Sequence, residues 1–322
     1  MKKRIVLLIT SFIVIYIFNF SIPRLMPGDP FNYTSSVSGE DITVEFSKEQ
    51  RERMERYYGL DKPIEKQFIE SVKKNIKGDF GLSIHYKREV SEILKERLPW
   101  TLYIMGTTLI ISLIIGSLLA LICVRNSKID KVLYGILSAI AEIPPFLIGI
   151  VLLFFIAAQV KFIPLSGAVT AFKEYKNSLQ WIYDIFIHSL LPICVMCMVI
   201  IPKFYFTARA SFLNILEKPY LLNAKAKGLK ENIILWKYIF INGITPIVVR
   251  FFLSIGSTIG GTLLIENVFA YPGLGTVMKE AVRFRDYTLI QGVFLLSTVI
   301  VLLSLFISDV INDYIDKRGV QN

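Results

Sequence analysis

From Leu98 to Val124 the chain runs without one charged side chain. A helix rises about 1.5 Å per residue and a bilayer core is roughly 30 Å thick, so about 20 such residues cross it. Backbone polar groups in lipid must be satisfied within the segment, which leaves the helix as the form for such a run. Stretches of the same character give expected crossings at 5–22, 98–124, 132–160, 182–206, 239–265 and 289–311. The chain is therefore expected to be an all-α integral membrane protein with six transmembrane helices. Lys2-Lys3-Arg4 precedes the first run in the manner of a signal peptide. That run stays uncharged from Ile5 to Ile22, and no small-x-small cleavage site follows before Pro23, so it is read as retained.

Charge then orients the helices. Segment 23–97 holds 28 of the 62 charged residues, fourteen of each sign, and reads as one sizeable soluble insertion. The formal charge of +10 does not point to nucleic acid, because the excess lies beside apolar spans. With the N-terminus inside, the cytoplasmic segments carry fifteen Lys and Arg and the short outer loops six (Lys161, Lys173, Lys176, Lys279, Arg283, Arg285). Both termini are expected in the cytoplasm. The division is a transmembrane helix at 1–22 and an extracytoplasmic helical insertion at 23–97. A five-helix core at 98–311 follows, including a cytoplasmic loop at 207–238, and then a cytoplasmic tail at 312–322.

Within the insertion, Ser47-x-x-Gln50 spells a capping box for a helix ending at Tyr58, with Gly59 beyond it. Pro63 suits a helix start, and Ile64, Phe68, Val72 and Ile76 recur every four residues before Gly78. Val90, Ile93, Leu94 and Leu98 form a third stripe running into the second span. Asp79-Phe80-Gly81 is read as a tight turn, since no kinase motif accompanies it. Cys123, Cys194 and Cys197 all lie in apolar runs and are read as buried, inert thiols. His85 and His188 stand alone and suggest no metal. Ser112-x3-Gly116-x3-Ala120 and Gly256-x3-Gly260 place small side chains on one helix face, where backbones can approach closely.

The segment from Glu217 to Leu229, between the fourth and fifth spans, carries the functional signal. Pro219 opens a short helix with Glu217 near its positive end, Lys225 and Lys227 lie near its negative end, and Gly228 offers a left-handed stop. Leu221, Leu222, Ala224 and Ala226 give it a small, apolar surface. A two-turn helix does not stand alone in water. Physics alone leaves two readings: docking into a partner, or lying on anionic headgroups.

This loop resembles the EAA motif of ABC importer permeases, the short coupling helix that sits in a groove of the ATPase. Tyr220-Leu-Leu-Asn-Ala224-Lys-Ala226-Lys-Gly228-Leu229 is similar to the form in the dipeptide/oligopeptide/nickel-type permease family. The likeness extends over nearly the whole chain, through Arg24–Pro30, Tyr58–Pro63, Gly78–Ser83, Arg97–Leu102, Ile143–Phe146, Pro164–Gly167, His188–Pro192 and Glu266–Gly275. It departs at Leu222-Asn223, where the family often has Arg-Thr, and at Lys225 in place of a frequent Arg.

The resemblance implies a type I importer (MetI-like) permease core, pore-forming and not itself an enzyme. A second homologous permease, two cytoplasmic ATPases and an extracytoplasmic substrate-binding protein are the implied partners. The chain has no G-x-x-x-x-G-K-[ST], so ATP and Mg would sit on the partner subunits, with no cofactor here. Glu217, Tyr220, Leu221, Ala224, Lys225, Ala226, Gly228 and Leu229 are the implied ATPase-coupling residues. Peptides are the expected cargo, with a nickel chelate or another small solute as the alternative. The rival from a different class is an ATP-independent secondary transporter, which predicts an inverted repeat that the chain does not show.

Glu142, Arg250, Gly260, Gly261 and Asn267 are the candidate pore-lining residues. Glu142 and Arg250 are ionisable groups inside apolar spans, which normally face a bundle interior or water. Counted from the span starts at about 1.5 Å per residue, both lie roughly 15 Å deep, so a pair is one expectation. Separate pore-lining, or for Glu142 a place beside a kink at Pro144-Pro145, is the other.

Overall fold

The computed structural model describes residues 2–26, 33–37, 40–44, 47–160 and 162–320, with the backbone alone for 2, 33–37, 40–44 and 315–320. Pro27–Pro30 of the Arg24–Pro30 motif and Lys161 of the orientation count lie outside the described residues. The elements run α1 (Lys2–Leu25), β1 (Tyr33–Val37), β2 (Glu40–Val44), α2 (Lys48–Tyr58), α3 (Ile64–Ile76), α4 (Val90–Cys123), α5 (Ser127–Ala141), α6 (Pro145–Leu152). They continue with α7 (Ser178–Leu216), α8 (Pro219–Ala226), α9 (Glu231–Ile233), α10 (Ile241–Val268), α11 (Leu274–Arg283) and α12 (Tyr287–Val320). Wide π-type turns extend α6 at Leu153–Ala157 and join α9 to α10 at Ile234–Phe240. Among the described residues the regular structure is helical apart from the β1–β2 hairpin, antiparallel from Tyr33↔Val44 to Val37↔Glu40, which the residue pattern did not announce, and an isolated bridge between Leu82 and Glu89.

Helices α1, α4, α7, α9–α10 and α12 are long and apolar enough to cross a membrane, and α5 with α6 is a bent apolar pair that gives a sixth crossing when counted as one span. The span expected over 132–160, with a kink at Pro144-Pro145 as one reading, is broken there. It bends by 93° between Ala141 and Pro145. Pro144 is extended (φ −58°, ψ 132°) and Pro145 lacks an N–H, so neither can continue the α5 ladder.

Packing divides the chain into two compact units, Met1–Pro99 with Gly273–Ile300, and Trp100–Pro272 with Val301–Asn322. In the first, the expected capping box forms: Gln50 N–H donates to Ser47 Oγ (3.2 Å) and Ser47 N–H to Gln50 Oε1 (3.0 Å). Gly59 ends α2 at φ +69°. Helix α3 runs antiparallel along α1. Arg24 Nε donates to Gln67 Oε1 (3.1 Å), the Phe20 and Phe68 rings meet edge-on at 5.1 Å, and the Tyr16 and Ser71 hydroxyls are 2.9 Å apart. Val90, Ile93 and Leu94 of the third stripe are buried as expected.

The turn at Asp79-Phe80-Gly81 is also as expected, with Gly81 at φ +82° and its N–H held by Asp79 Oδ1 at 2.9 Å. Residues 82–85, just beyond it, are strapped to the start of α12. Asp286, fully buried, accepts from Ser83 Oγ, the His85 N–H, Thr288 Oγ1 and the Leu289 N–H. The Tyr86 hydroxyl donates to Glu280 on α11, and burial with this bond pushes the phenol well above its usual range.

The second unit is organised around α7. Gly116 on α4 is buried, and a Cβ there would lie 2.7 Å from Phe204 Cβ and 2.9 Å from the Ile201 carbonyl oxygen. The Ser112–Gly116–Ala120 stripe is thus a backbone-to-backbone contact with α7, as read from the spacing. The other stripe holds by half: Gly256 packs on Val301, while a Cβ at Gly260 would meet nothing within 4 Å. Cys123 and Cys197 are buried but Cys194 is exposed, which corrects the expectation of three buried thiols. The reason is helical period: Val195, Met196 and Cys197 turn inward, leaving Cys194 and Met198, one turn apart, on the outward face.

Candidate functional site

The loop from Glu217 to Leu229 folds as its residues dictate. Glu217 closes α7, Lys218 is extended, and Pro219 begins α8. The Gly228 N–H returns to the Lys225 carbonyl (2.9 Å) with Gly228 at φ +68°. A Cβ at Gly228 would meet nothing within 4 Å, so glycine is needed there for its backbone and not for space.

Helix α8 has two faces. Leu221 (1% exposed) and Ala224 (2%) point into the chain's own fold, against the π-type turn Ile234–Phe240. Two of the four residues that give α8 its small, apolar surface thus seat the helix on the chain itself. Tyr220, Leu222, Asn223, Lys225 and Ala226 remain outward, with Leu222 at 69% exposure, and Leu229 is half-buried. Burial raises the Tyr220 phenol above its ordinary value.

The seat itself is tied down. Arg209 of α7 grips Asp130 of α5 through Nε (2.6 Å) and Nη2 (2.5 Å), and the Tyr205 hydroxyl adds a third bond at 2.9 Å. Arg125 reaches Asn232 (2.7 Å) and Glu231 (3.8 Å) at the start of α9. Ser211 Oγ donates to the Gly243 carbonyl (2.9 Å), and a Cβ at Gly243 would lie 2.6 Å from the Phe212 ring. The helices around α8 are thus held to one another, α7 to α5 and α10 and Arg125 to α9, by bonds and close contacts. Arg209, Asp130 and Gly243 were missed from sequence, since a lone Arg and a lone Asp 79 residues apart carry no pairing signal.

Sequence motifs far apart in the chain converge in the same unit. The Gly167 N–H donates to the Phe269 carbonyl (2.9 Å) and the Gly167 carbonyl lies 3.1 Å from His188 Nδ1. Asp184, one turn before His188, accepts from the Thr170 N–H (2.6 Å), Lys173 Nζ (2.7 Å) and the Tyr175 hydroxyl (2.8 Å). The Tyr271 N–H returns to the Glu266 carbonyl (2.8 Å), and the buried Tyr271 ring meets Trp100 edge-on at 5.8 Å. Pro164–Gly167, His188–Pro192 and Glu266–Tyr271 are thus parts of one packed cluster. His188, read as standing alone, is a structural partner within it.

Of the candidate pore residues, Gly261 leaves no room for a side chain, since a Cβ there would lie 3.1 Å from Met196 Cε, and Asn267 Nδ2 donates to the Leu263 carbonyl (2.8 Å). Among the described residues no ion pair joins Glu142 to Arg250, which corrects that expectation. The depth count assumed a straight helix, whereas Glu142 sits at the 93° break. Arg250 is half-buried, its Nε has no hydrogen-bond partner, and the like charge of Lys203 lies near it. Lys203 Nζ lies 3.4 Å from Ser257 Oγ. Leu253, Ser257, Gly260 and Leu264 continue along one face of α10 at helical spacing. Lys203 falls near the end of the span expected over 182–206, and that placement was the available signal.

Residues 112–320 match the family described as the binding-protein-dependent transport system inner membrane component. Similar proteins include the oligopeptide transport system permease protein AppB of Bacillus subtilis (strain 168), 31% identical over 98% of this chain and 97% of its own length. The probable peptide ABC transporter permease protein y4tP of Sinorhizobium fredii is 30% identical over 98% and 97%. The glutathione transport system permease protein GsiC of Escherichia coli (strain K12) is 27% identical over 96% and 94%.

Proposed function

The chain belongs to the family of binding-protein-dependent transport system inner membrane components, and on that premise we propose that it is the pore-forming permease of an ATP-driven peptide importer, with α8 receiving the stroke. As a permease of an ABC importer the protein is a multi-pass membrane protein and not itself an enzyme. Its relatives are named for oligopeptides, a peptide and glutathione, and glutathione is a tripeptide, so the three names share one cargo chemistry.

In this reading two ATPases hold ATP and Mg on the cytoplasmic side, a second homologous permease completes the pore, and a binding protein delivers cargo to the opposite face. The N- and C-termini lie in the cytoplasm and residues 23–97 outside it, as the Lys and Arg distribution supports. Nucleotide-driven closure of the ATPases moves α8. The bonds from α7 to α5 and α10 then carry the displacement into the crossings, a rigid-body switch between two states.

The observation that carries the proposal is the division of α8 into a seated face and a free one. Leu222 is 69% exposed on a helix too short to stand alone, flanked by Tyr220 and Ala226. The test is Leu222→Asp, made in the full chain co-expressed with its partner subunits. Membrane insertion and folded yield should stay at wild-type level while ATPase co-purification and labelled-peptide uptake fall together. Normal uptake by a well-expressed Leu222→Asp protein would refute the role of α8.

A further inference from the structure

We infer, on the premise that the pore carries peptides, that Lys203 of α7 and Arg250 of α10 form a carboxylate site and take the C-terminal carboxylate of a peptide in transit. Both cations sit in helices long and apolar enough to cross a membrane. The two helices pack antiparallel. At one end Ser211 Oγ donates to the Gly243 carbonyl (2.9 Å), and at the other a Cβ on Gly261 would lie 3.1 Å from Met196 Cε. Lys203 and Arg250 fall between these two contacts, away from the helix ends where lone cations commonly meet headgroups.

Ionisable groups inside a crossing are rare, and they pair with one another, face water or mark a substrate path. Here the pairing is missing. Arg250 is half-buried, and its Nε, enclosed by the chain, has no hydrogen-bond partner. Lys203, also half-buried, has Ser257 Oγ at 3.4 Å. That hydroxyl donates to the Ser254 carbonyl (3.1 Å), so it accepts from the ammonium and holds it beside α10. The charge that acts on Lys203 is the like charge of Arg250, and among the described residues no carboxylate offsets it. The acids of the neighbouring helices are placed elsewhere. Asp184 is taken by Lys173 (2.7 Å) and Asp130 by Arg209 (2.5 Å). Glu266 lies sixteen residues beyond Arg250 on α10, about 24 Å away. Helix α12 meets α10 where Ser308 Oγ donates to the Val249 carbonyl (3.3 Å). Asp309, the next residue, is exposed and forms no ion pair with either cation among the described residues.

Two like charges on adjoining helices repel, and removing Arg250 Nε from water without a partner adds a further cost. An anion between them reverses both effects. The guanidinium offers a planar fork that matches carboxylate, and the ammonium adds a point charge. The face beyond the cations is open. Leu253, Ser257, Gly260 and Leu264 follow Arg250 at helical spacing, all of them exposed, and a Cβ at Gly260 would meet nothing within 4 Å. A peptide lying along this strip has room for its backbone with its carboxylate on the cations. Side chains differ from one peptide to the next, whereas every unblocked peptide ends in one carboxylate. A pore that passes many sequences has that group in common to hold, and cations without a resident acid are free to hold it and let it go.

The experiment is uptake by the full chain with its partner subunits in liposomes, supplied with one binding protein and ATP. The probes are a labelled tripeptide with a free C-terminus and the same tripeptide amidated there. The readout is the ratio of their kcat/KM values, because the binding protein is common to every variant and its own preference cancels. Lys203→Gln with Arg250→Gln should lower the free-to-amidated ratio about tenfold, the worth of one hydrogen bond to a charged group. Arg250→Lys, which keeps the charge, should hold most of the ratio. Folded yield and co-purified second permease are measured for each variant, and the two single Gln variants carry the test if the double one does not fold. An unchanged ratio in folded variants overturns the assignment. So does an equal fall for both peptides with loss of the second permease, which would make the cations a contact between subunits. Wild type that takes up neither peptide at the expense of ATP overturns the importer reading as well, whereas ATP-driven uptake at a fixed ratio overturns the carboxylate site alone.

Discussion

Ser83 donates a 2.5 Å hydrogen bond to Asp286, 203 residues further along the chain. The same carboxylate accepts from the Leu289 N–H (3.1 Å), so it caps α12 while anchoring the turn beyond α3. A negative charge at that end also complements the helix dipole. One side chain thus fixes both where the last crossing begins and how the Gly78–Ser83 motif is held.

Replacing Asp286 with Ala should therefore cost more than a lost cap. The cap alone is worth about 0.5–2 kcal/mol, and each buried donor left unmet adds about 1–3 kcal/mol. Asp286→Ala should lower the unfolding temperature clearly and open residues 78–90 to protease. Ser83→Ala, which removes one donor and leaves the cap, should do neither strongly. Equal melting of the two variants would show that the strap carries little stability.

The close approaches predict opposite outcomes for two glycines. Gly116→Ala puts a methyl 2.7 Å from Phe204 Cβ and beside rigid backbone, so α4 and α7 must separate. Overpacking of that kind costs about 1–3 kcal/mol, and folded yield should fall. Gly260→Ala meets nothing within 4 Å and should leave the fold intact. Its effect on peptide uptake then reports whether this face of α10 borders the pore or a second permease. Unchanged folding of Gly116→Ala would contradict the helix contact.

Much of this was legible in the sequence, for physical reasons that particular residues make plain. The capping box at Ser47 and Gln50, the stop at Gly59 and the turn at Gly81 are local, and local chemistry is written in neighbouring residues. The Ser112–Gly116–Ala120 contact was readable because four-residue spacing survives any arrangement of the partner helix. The inward turn of Ala224 was not: in an eight-residue helix with apolar residues on several sides, the pattern does not say which side is seated. The Asp130–Arg209 grip and the His188 cluster depend on which distant segments meet. Pro144-Pro145 announced a break but not its 93° angle.

Gly228 should tolerate no side chain despite having open space around it. At φ +68° a non-glycine residue pays about 1–2 kcal/mol. Gly228→Ala is expected to fray the end of α8 and lower coupling, read as a rise in ATP hydrolysed per peptide taken up, while Leu221→Ala unseats the helix from within. Circular dichroism and folded yield should barely change for the first and drop for the second, where burial of Leu221 is worth about 2–5 kcal/mol. Wild-type coupling in Gly228→Ala would separate the stop from the mechanism.

The charges within the crossings make the last prediction. Glu142 sits at the bend after α5, while Arg250 is half-buried on α10 near the like charge of Lys203. Residues that do not touch should act independently, so Glu142→Gln and Arg250→Gln should lower uptake additively, within about 0.5 kcal/mol. Lys203 and Arg250 are coupled by repulsion, and neutralising either relieves the other. The Lys203→Gln and Arg250→Gln pair should therefore depart from additivity, the second change having less to remove than the first. Both cations border the Ser257 face, so their joint loss should weaken uptake of peptides with a free carboxylate more than of amidated ones. The measurement is a cycle of the three single and three double variants, scored for folded protein and for uptake of the two peptide forms. Coupling of Glu142 to Arg250 beyond about 1 kcal/mol would restore the direct pair that the bend at Pro144 argues against.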